Sequence, residues 1–163
     1  MSTLNVGSIK DLTGKPLVEP TGSVLQVVNA NTVGNNTNVN TTSSTYVTTG
    51  FSLSITPKSA SSKLLVICNF NSLYNGGGVD DGAAFRLYRD GAAINTANGG
   101  DNLNYNNTTP GASYVPITII HYVNSNNTNS TTFELYFCDQ WGGTATLANN
   151  WGTTSMTITE IAA

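Results

Sequence analysis

Between Tyr46 and Leu73 the chain changes its hydrophobic rhythm. Val47, Phe51, Leu53 and Ile55 fall on one phase, with Gly50, Ser52 and Ser54 on the other. A period of two with one polar phase predicts a strand that buries one face and wets the other. Thr56-Pro57-Lys58-Ser59-Ala60-Ser61-Ser62 then interrupts the pattern with residues that turn a chain. From Lys63 to Phe70 apolar side chains occupy both phases, which predicts a strand covered on both faces. A half-exposed strand, a polar corner and a buried strand together begin a β-sandwich.

The same reading runs through the rest of the chain. Val24 to Asn29 predicts the first strand of the body, and Asn31 to Ser44 a polar loop. Tyr74 to Gly82 is a glycine-rich connection. Ala84 to Arg89, Asp90-Gly91 and Ala92 to Ile94 predict a hairpin, because Asp-Gly supplies the positive φ angles of a type I′ turn. Ala97 to Gly111 reads as a second loop, rich in Asn and Gly. Tyr114 to Val123 is a long strand with Val115, Ile117, Ile119, His121 and Val123 on one phase. Pro116 donates no hydrogen bond to a ladder and marks this strand as an edge or a bulge. Phe133, Leu135 and Phe137 alternate with Glu134 and Tyr136, Gln140 to Trp151 forms a loop, and Thr154 to Ile161 closes the fold. About eight strands and no helix predict an all-β, antiparallel sandwich. A jelly roll is the favoured order and an immunoglobulin-like order the alternative.

Residues 1 to 22 depart from this pattern. Leu4, Val6 and Ile9 stand among Gly7, Gly14, Pro16, Pro20 and Gly22, too few to build a core. The expectation is an extended anchoring arm followed by a sandwich over residues 23 to 163. In an arm of this kind Leu4 to Ile9 can add a strand to a partner's sheet edge.

Composition narrows the function classes. Charged residues make up only 9% of the 163, so solubility rests on amides and hydroxyls. A net charge of −3 offers no basic patch for nucleic acid and no polybasic signal for an anionic membrane. No run of about 18 apolar residues exists to cross a bilayer as a helix. The first residues have neither a charged leader nor an apolar core, so synthesis in a cytoplasm is expected. Cys68 and Cys138 lie in predicted strands and are expected to be free, buried thiols.

Candidate chemistry is sparse. His121 shares the phase of Ile117 and Ile119, and no nucleophile motif accompanies it, so a core or interface histidine is expected. Three glycines at 76 to 78 lack the Gly-Lys-Ser/Thr ending of a phosphate loop. Asp80 and Asp81, with Asp90 or Asp101, lack the spacing of a calcium loop. Glu134, Asp139 and Glu160 stand in no catalytic motif. No catalytic residue, cofactor or metal site is therefore expected. Trp141-Gly142 and Trp151-Gly152 flank Asn149 and Asn150. Exposed tryptophan beside amides suits a glycan platform, the ring stacking on a pyranose face while the amides bond hydroxyls. The alternative is that both rings cover the end of the sandwich or a subunit contact.

Three stretches carry a family resemblance. "GSVLQVV" at Gly22 to Val28, "TGFSLSITPKSASSKLLV" at Thr49 to Val66 and "FRLYRDG" at Phe85 to Gly91 resemble tail-fibre and fibre-tip domains of bacteriophages, particularly those of cyanobacteria and marine bacteria. The opening "MSTLNVGSIKDLTGK" is also similar to the N-terminal segments of such proteins. The resemblance implies a β-rich, trimeric, non-enzymatic virion component that binds other virion proteins. It further implies a short fibre or fibre tip with host surface glycan as a ligand. A small sandwich with an arm also looks like a capsid decoration (cement) protein, which has no external ligand.

Overall fold

A computed structural model describes residues 21–32, 37–76, 81–97, 100–106, 111–140 and 142–163. The arm residues Leu4, Val6 and Ile9 and the candidate Trp141 lie outside the described residues.

The strands are β1 (Val24–Asn31), β2 (Val39–Thr41), β3 (Val47–Ile55), β4 (Lys63–Gly76), β5 (Asp81–Arg89), β6 (Ala92–Ala93), β7 (Asn102–Asn106), β8 (Gly111–Asn124), β9 (Thr131–Asp139), β10 (Thr144–Leu147) and β11 (Ser155–Ile161). All pairings are antiparallel. The first sheet runs β1-β11-β4-β8, and the second runs β3-β9-β5-β7. Without the short β2, β6 and β10, this is first-eighth-third-sixth over second-seventh-fourth-fifth. That order is a jelly roll, as the sequence predicts.

The inward phases supply one core. Leu64, Val66, Cys68 and Phe70 of β4 meet Phe85 and Leu87 of β5, Phe133, Leu135 and Phe137 of β9, and Met156 and Ile158 of β11. Phe70 lies 4.6 Å from Phe85, centroid to centroid, and so links the two sheets. Asp90 and Gly91 both have positive φ, 51° and 80°, as the β5–β6 turn requires. Among the described residues β8 pairs only with β4, which puts Pro116 on an edge strand there. Cys68 and Cys138 are free and buried. Cys68 faces the core, where burial pushes its thiol up to about 12.

The polar corner between β3 and β4 has a specific role. The carboxylate of Glu160, a fully buried residue on the inward phase of β11, accepts from the backbone N–H of Lys58 (2.9 Å) and Ser59 (3.1 Å). It also accepts from Ser62 Oγ (2.6 Å) and Gln26 Nε2 (2.6 Å). Pro57-Lys58-Ser59-Ala60-Ser61-Ser62 is thus wrapped around a buried anion. The corner packs onto β8 as well, with Ser125 Oγ donating to Ser59 O at 2.7 Å.

Two expectations need correction. Strands β2, β7 and β10 lie inside stretches that read as loops, because each is short and supplies few apolar side chains. Asn-Leu-Asn-Tyr-Asn in β7 pairs with β5 through its backbone, and Asn104 is buried by donating to Ser72 Oγ at 3.1 Å. The second concerns β4, which reads as covered on both faces. Leu65 and Ile67 instead project outward, half-buried by their neighbours in the sheet. Within the described residues, no other layer packs over them.

Candidate functional site

The outward face of the first sheet ends in an aromatic corner. Alternation along β8 places Tyr114, Pro116, Thr118, Ile120 and Tyr122 outside, opposite the buried Ile117 and Ile119. Asn71 of β4 pairs across from Pro116. Between β10 and β11 a short 3-10 turn, Asn149–Trp151, rests against β4, since Ala148 N–H donates to Asn71 O at 2.9 Å. The turn is fixed from inside by Asn149, whose Oδ1 accepts from Thr154 Oγ1 (2.8 Å) and whose Nδ2 donates to Thr37 O (3.0 Å).

These constraints push Trp151 into solvent. It is 65% exposed, and its ring centroid lies 5.2 Å from that of Tyr114, itself 53% exposed, at 56° between planes. Asn71, Tyr114, Val115, Pro116 and Trp151 line a groove of about 280 Å³. Gly152 lets the Asn71 amide press against the turn, because a Cβ there would stand 2.0 Å from Asn71 Nδ2. The groove has two ring faces, a proline and an amide, with no Asp, Glu, His, Lys, Arg or Cys among the lining residues. Such a surface can stack on a flat apolar ring face and bond a hydroxyl.

The structure therefore divides the residues expected in a glycan platform. Trp151 is on the corner, and Asn150 is exposed beside it with its N–H donating to Asn38 Oδ1 at 3.1 Å. Asn149 is buried and its amide is spent on Thr154 and Thr37. Tyr114 and Asn71 join from distant strands and are not visible from the tryptophan loop alone. Their signal was the aromatic and aliphatic content of the outward phase of β8.

The remaining candidates that the structure describes make contacts within the sandwich. His121 lies on the inward phase at the open side of the sandwich, with Nε2 3.0 Å from Asp101 Oδ1. Asp101 Oδ2 accepts from Leu87 N–H at 2.7 Å, so the pair ties β8 to the second sheet. Burial alone would raise the Asp101 carboxyl, but hydrogen bonds from His121 and Leu87 outweigh it and hold it below its usual range. Glu134 faces outward and accepts from Thr48 Oγ1. Asp139 is buried and accepts from Gly142 N–H at 2.9 Å. Asp90 accepts from Thr131 and Thr132. Asp80 lies outside the described residues. Among the described residues no three His, Cys, Asp or Glu side chains gather as metal ligands.

No protein-family model matches the chain, and no curated protein matches it.

Proposed function

We propose that this chain is a non-enzymatic structural and adhesive protein of a bacteriophage virion. In this reading it is made in the host cytoplasm and assembles as a short trimeric tail fibre or fibre tip. Residues 1 to 22 attach it to other virion proteins, and the Trp151 corner contacts host surface glycan. One observation carries the reading: the point where the arm enters the sandwich and the aromatic corner lie at opposite ends of β1 and β11. Gly22 N–H donates to Ala162 O and Ala162 N–H to Ser23 O, each at 2.8 Å, which fixes the entry beside the end of β11. Trp151 lies four residues before Ser155, at the other end of that strand. The eight residues of β1 separate the two points by roughly 26 Å. Anchorage at one end and an exposed stacking surface at the other is the layout of a protein that attaches and displays.

Two variants test the two ends. Tyr114→Ala with Trp151→Ala should abolish adsorption to host cells and glycan binding by the purified protein, with copy number in particles unchanged. Deletion of residues 1 to 20 should leave unfolding of the body unchanged and remove the protein from purified particles. Normal adsorption by the double variant would reduce the corner to packing. Copies placed regularly over a capsid lattice would replace the fibre with a decoration protein.

A further inference from the structure

The arm-proximal half of the first sheet's outward face carries a surface the glycan corner does not explain. Side by side across β1, β11, β4 and β8 stand Val27, Thr159, Leu65 and Tyr122. The next row is Asn29, Thr157, Ile67 and Ile120. Val27 is 57% exposed, Ile120 59% and Tyr122 58%. The row beyond, Asn31, Ser155, Asn69 and Thr118, is polar and separates this block from Trp151. No Asp, Glu, Lys or Arg stands in these rows, and Lys63 marks the rim.

We infer that this block is buried against a second copy of the chain. The inference deepens the proposed oligomer by naming its surface, and rests on that reading only in supposing association. Three observations select the occupant. First, β4 is apolar on both phases, the composition of a strand covered on both faces, yet among the described residues only one face is covered. Second, β8 is a 14-residue strand with no Asp, Glu, Lys or Arg, and among the described residues it pairs on one edge only, with Pro116 on it. Such an edge invites another chain unless it is occupied. Third, the face bears no charge for an acidic or basic partner to match. Four strands by the length from Lys63 to Asn69 give a projected area of roughly 450 Å² before side-chain relief and polar rim are added. Standard interfaces take about 800 Å² from each partner, so the face suits another folded domain better than a short peptide. Its hydroxyls and amides can meet the surface of another copy without like-charge repulsion.

Light scattering on the full chain at micromolar concentration, with Ile120→Asp, Ile120→Thr and Ser52→Asp, tests this. Wild type and Ser52→Asp, whose change lies on the outward face of the other sheet, should be oligomers of equal mass. Ile120→Asp should be a monomer with an unchanged far-UV spectrum. Ile120→Thr, which keeps a β-branched residue and guards against misfolding of the Asp variant, should raise the dissociation constant at least tenfold. A wild-type oligomer that survives both Ile120 variants would overturn the assigned surface and leave the proposed oligomer standing. A monomeric wild type would overturn both, and loss of adsorption on changing Tyr114 and Trp151 would still support the glycan reading.

Discussion

The outward faces of the two sheets solve the same problem differently. On the second sheet Ser52 and Ser54 are in water, Ser54 and Thr132 share a hydrogen bond at 2.7 Å, and Tyr88 stacks on Tyr136 at 3.9 Å. Arg86, which would otherwise project into solvent, is buried under the Tyr46 ring, its guanidinium 4.1 Å from the centroid. That face is finished by its own chain except at β7, where Leu103 and Tyr105 are exposed. On the first sheet the polar groups are also satisfied sideways, Thr118 Oγ1 donating to Asn69 Oδ1 at 2.7 Å and Asn29 Nδ2 to Thr157 Oγ1 at 2.8 Å. What stays unsatisfied there is apolar: Val27, Ile120, Tyr122, Tyr114 and Trp151. A face whose polar groups are paired and whose apolar groups are exposed gains most from being covered.

The comparison concerns outward faces only, and the core should confirm that. Phe70 of the first sheet and Phe137 of the second are equally buried, so Phe70→Ala and Phe137→Ala should each cost about 3–5 kcal/mol in denaturant unfolding. A cost under about 1 kcal/mol at one site would carry the asymmetry into the interior and break the comparison.

Glu160 sharpens it from another side, because on the first sheet a buried carboxylate gathers the whole 58–62 corner. Replacing Glu160 with alanine leaves several donors of the 58–62 corner without their acceptor, and about 2–4 kcal/mol should be lost. The acid dependence has a definite sign. Burial would raise this carboxyl, but hydrogen bonds from Ser62, Lys58, Gln26 and Ser59 outweigh it and hold the folded value below the ordinary one. Its stabilisation is therefore complete above the unfolded carboxylate range near about pH 4.3 and is lost as pH falls through the folded value. Urea unfolding between neutral pH and about pH 3 should lose less stability in Glu160→Gln than in wild type. Equal losses would mean the corner does not sense the charge.

What could be read in the sequence follows from where each signal is stored. Period-two alternation in β3, β8 and β9 and the Asp90-Gly91 turn are local, and each gave its element. The 56–62 corner was legible as a turn, but its reason was not, since Glu160 is about a hundred residues away. Strands β2, β7 and β10 escaped because hydrogen bonding to longer neighbours, rather than side-chain pattern, makes them strands. The tryptophan loop was legible as a candidate surface. Which of its amides face outward depends on Thr37 and Thr154, and Asn149 was lost to them. The double apolar phase of β4 predicts two covered faces, and the described residues cover one.

The smallest expected effect discriminates most finely between the two faces. Arg86→Ala removes the guanidinium stacked on Tyr46 and its hydrogen bond to Ala97 O from a face that the chain itself finishes. It should cost the single domain about 1–2 kcal/mol, a cation–π contact and a charged hydrogen bond partly offset by releasing Arg86 Nε, which is buried without a partner among the described residues. Ile120→Ala removes more apolar volume from the first sheet but should change unfolding of dilute, monomeric protein by under about 0.5 kcal/mol, as other exposed positions do. Its effect should grow with protein concentration, because the stability that depends on Ile120 belongs to the assembly. The effect of Arg86→Ala should not vary with concentration. Thermal unfolding of both variants over a hundredfold range of concentration separates the two behaviours. Identical concentration dependence would mean that the outward faces differ in composition but not in what they do.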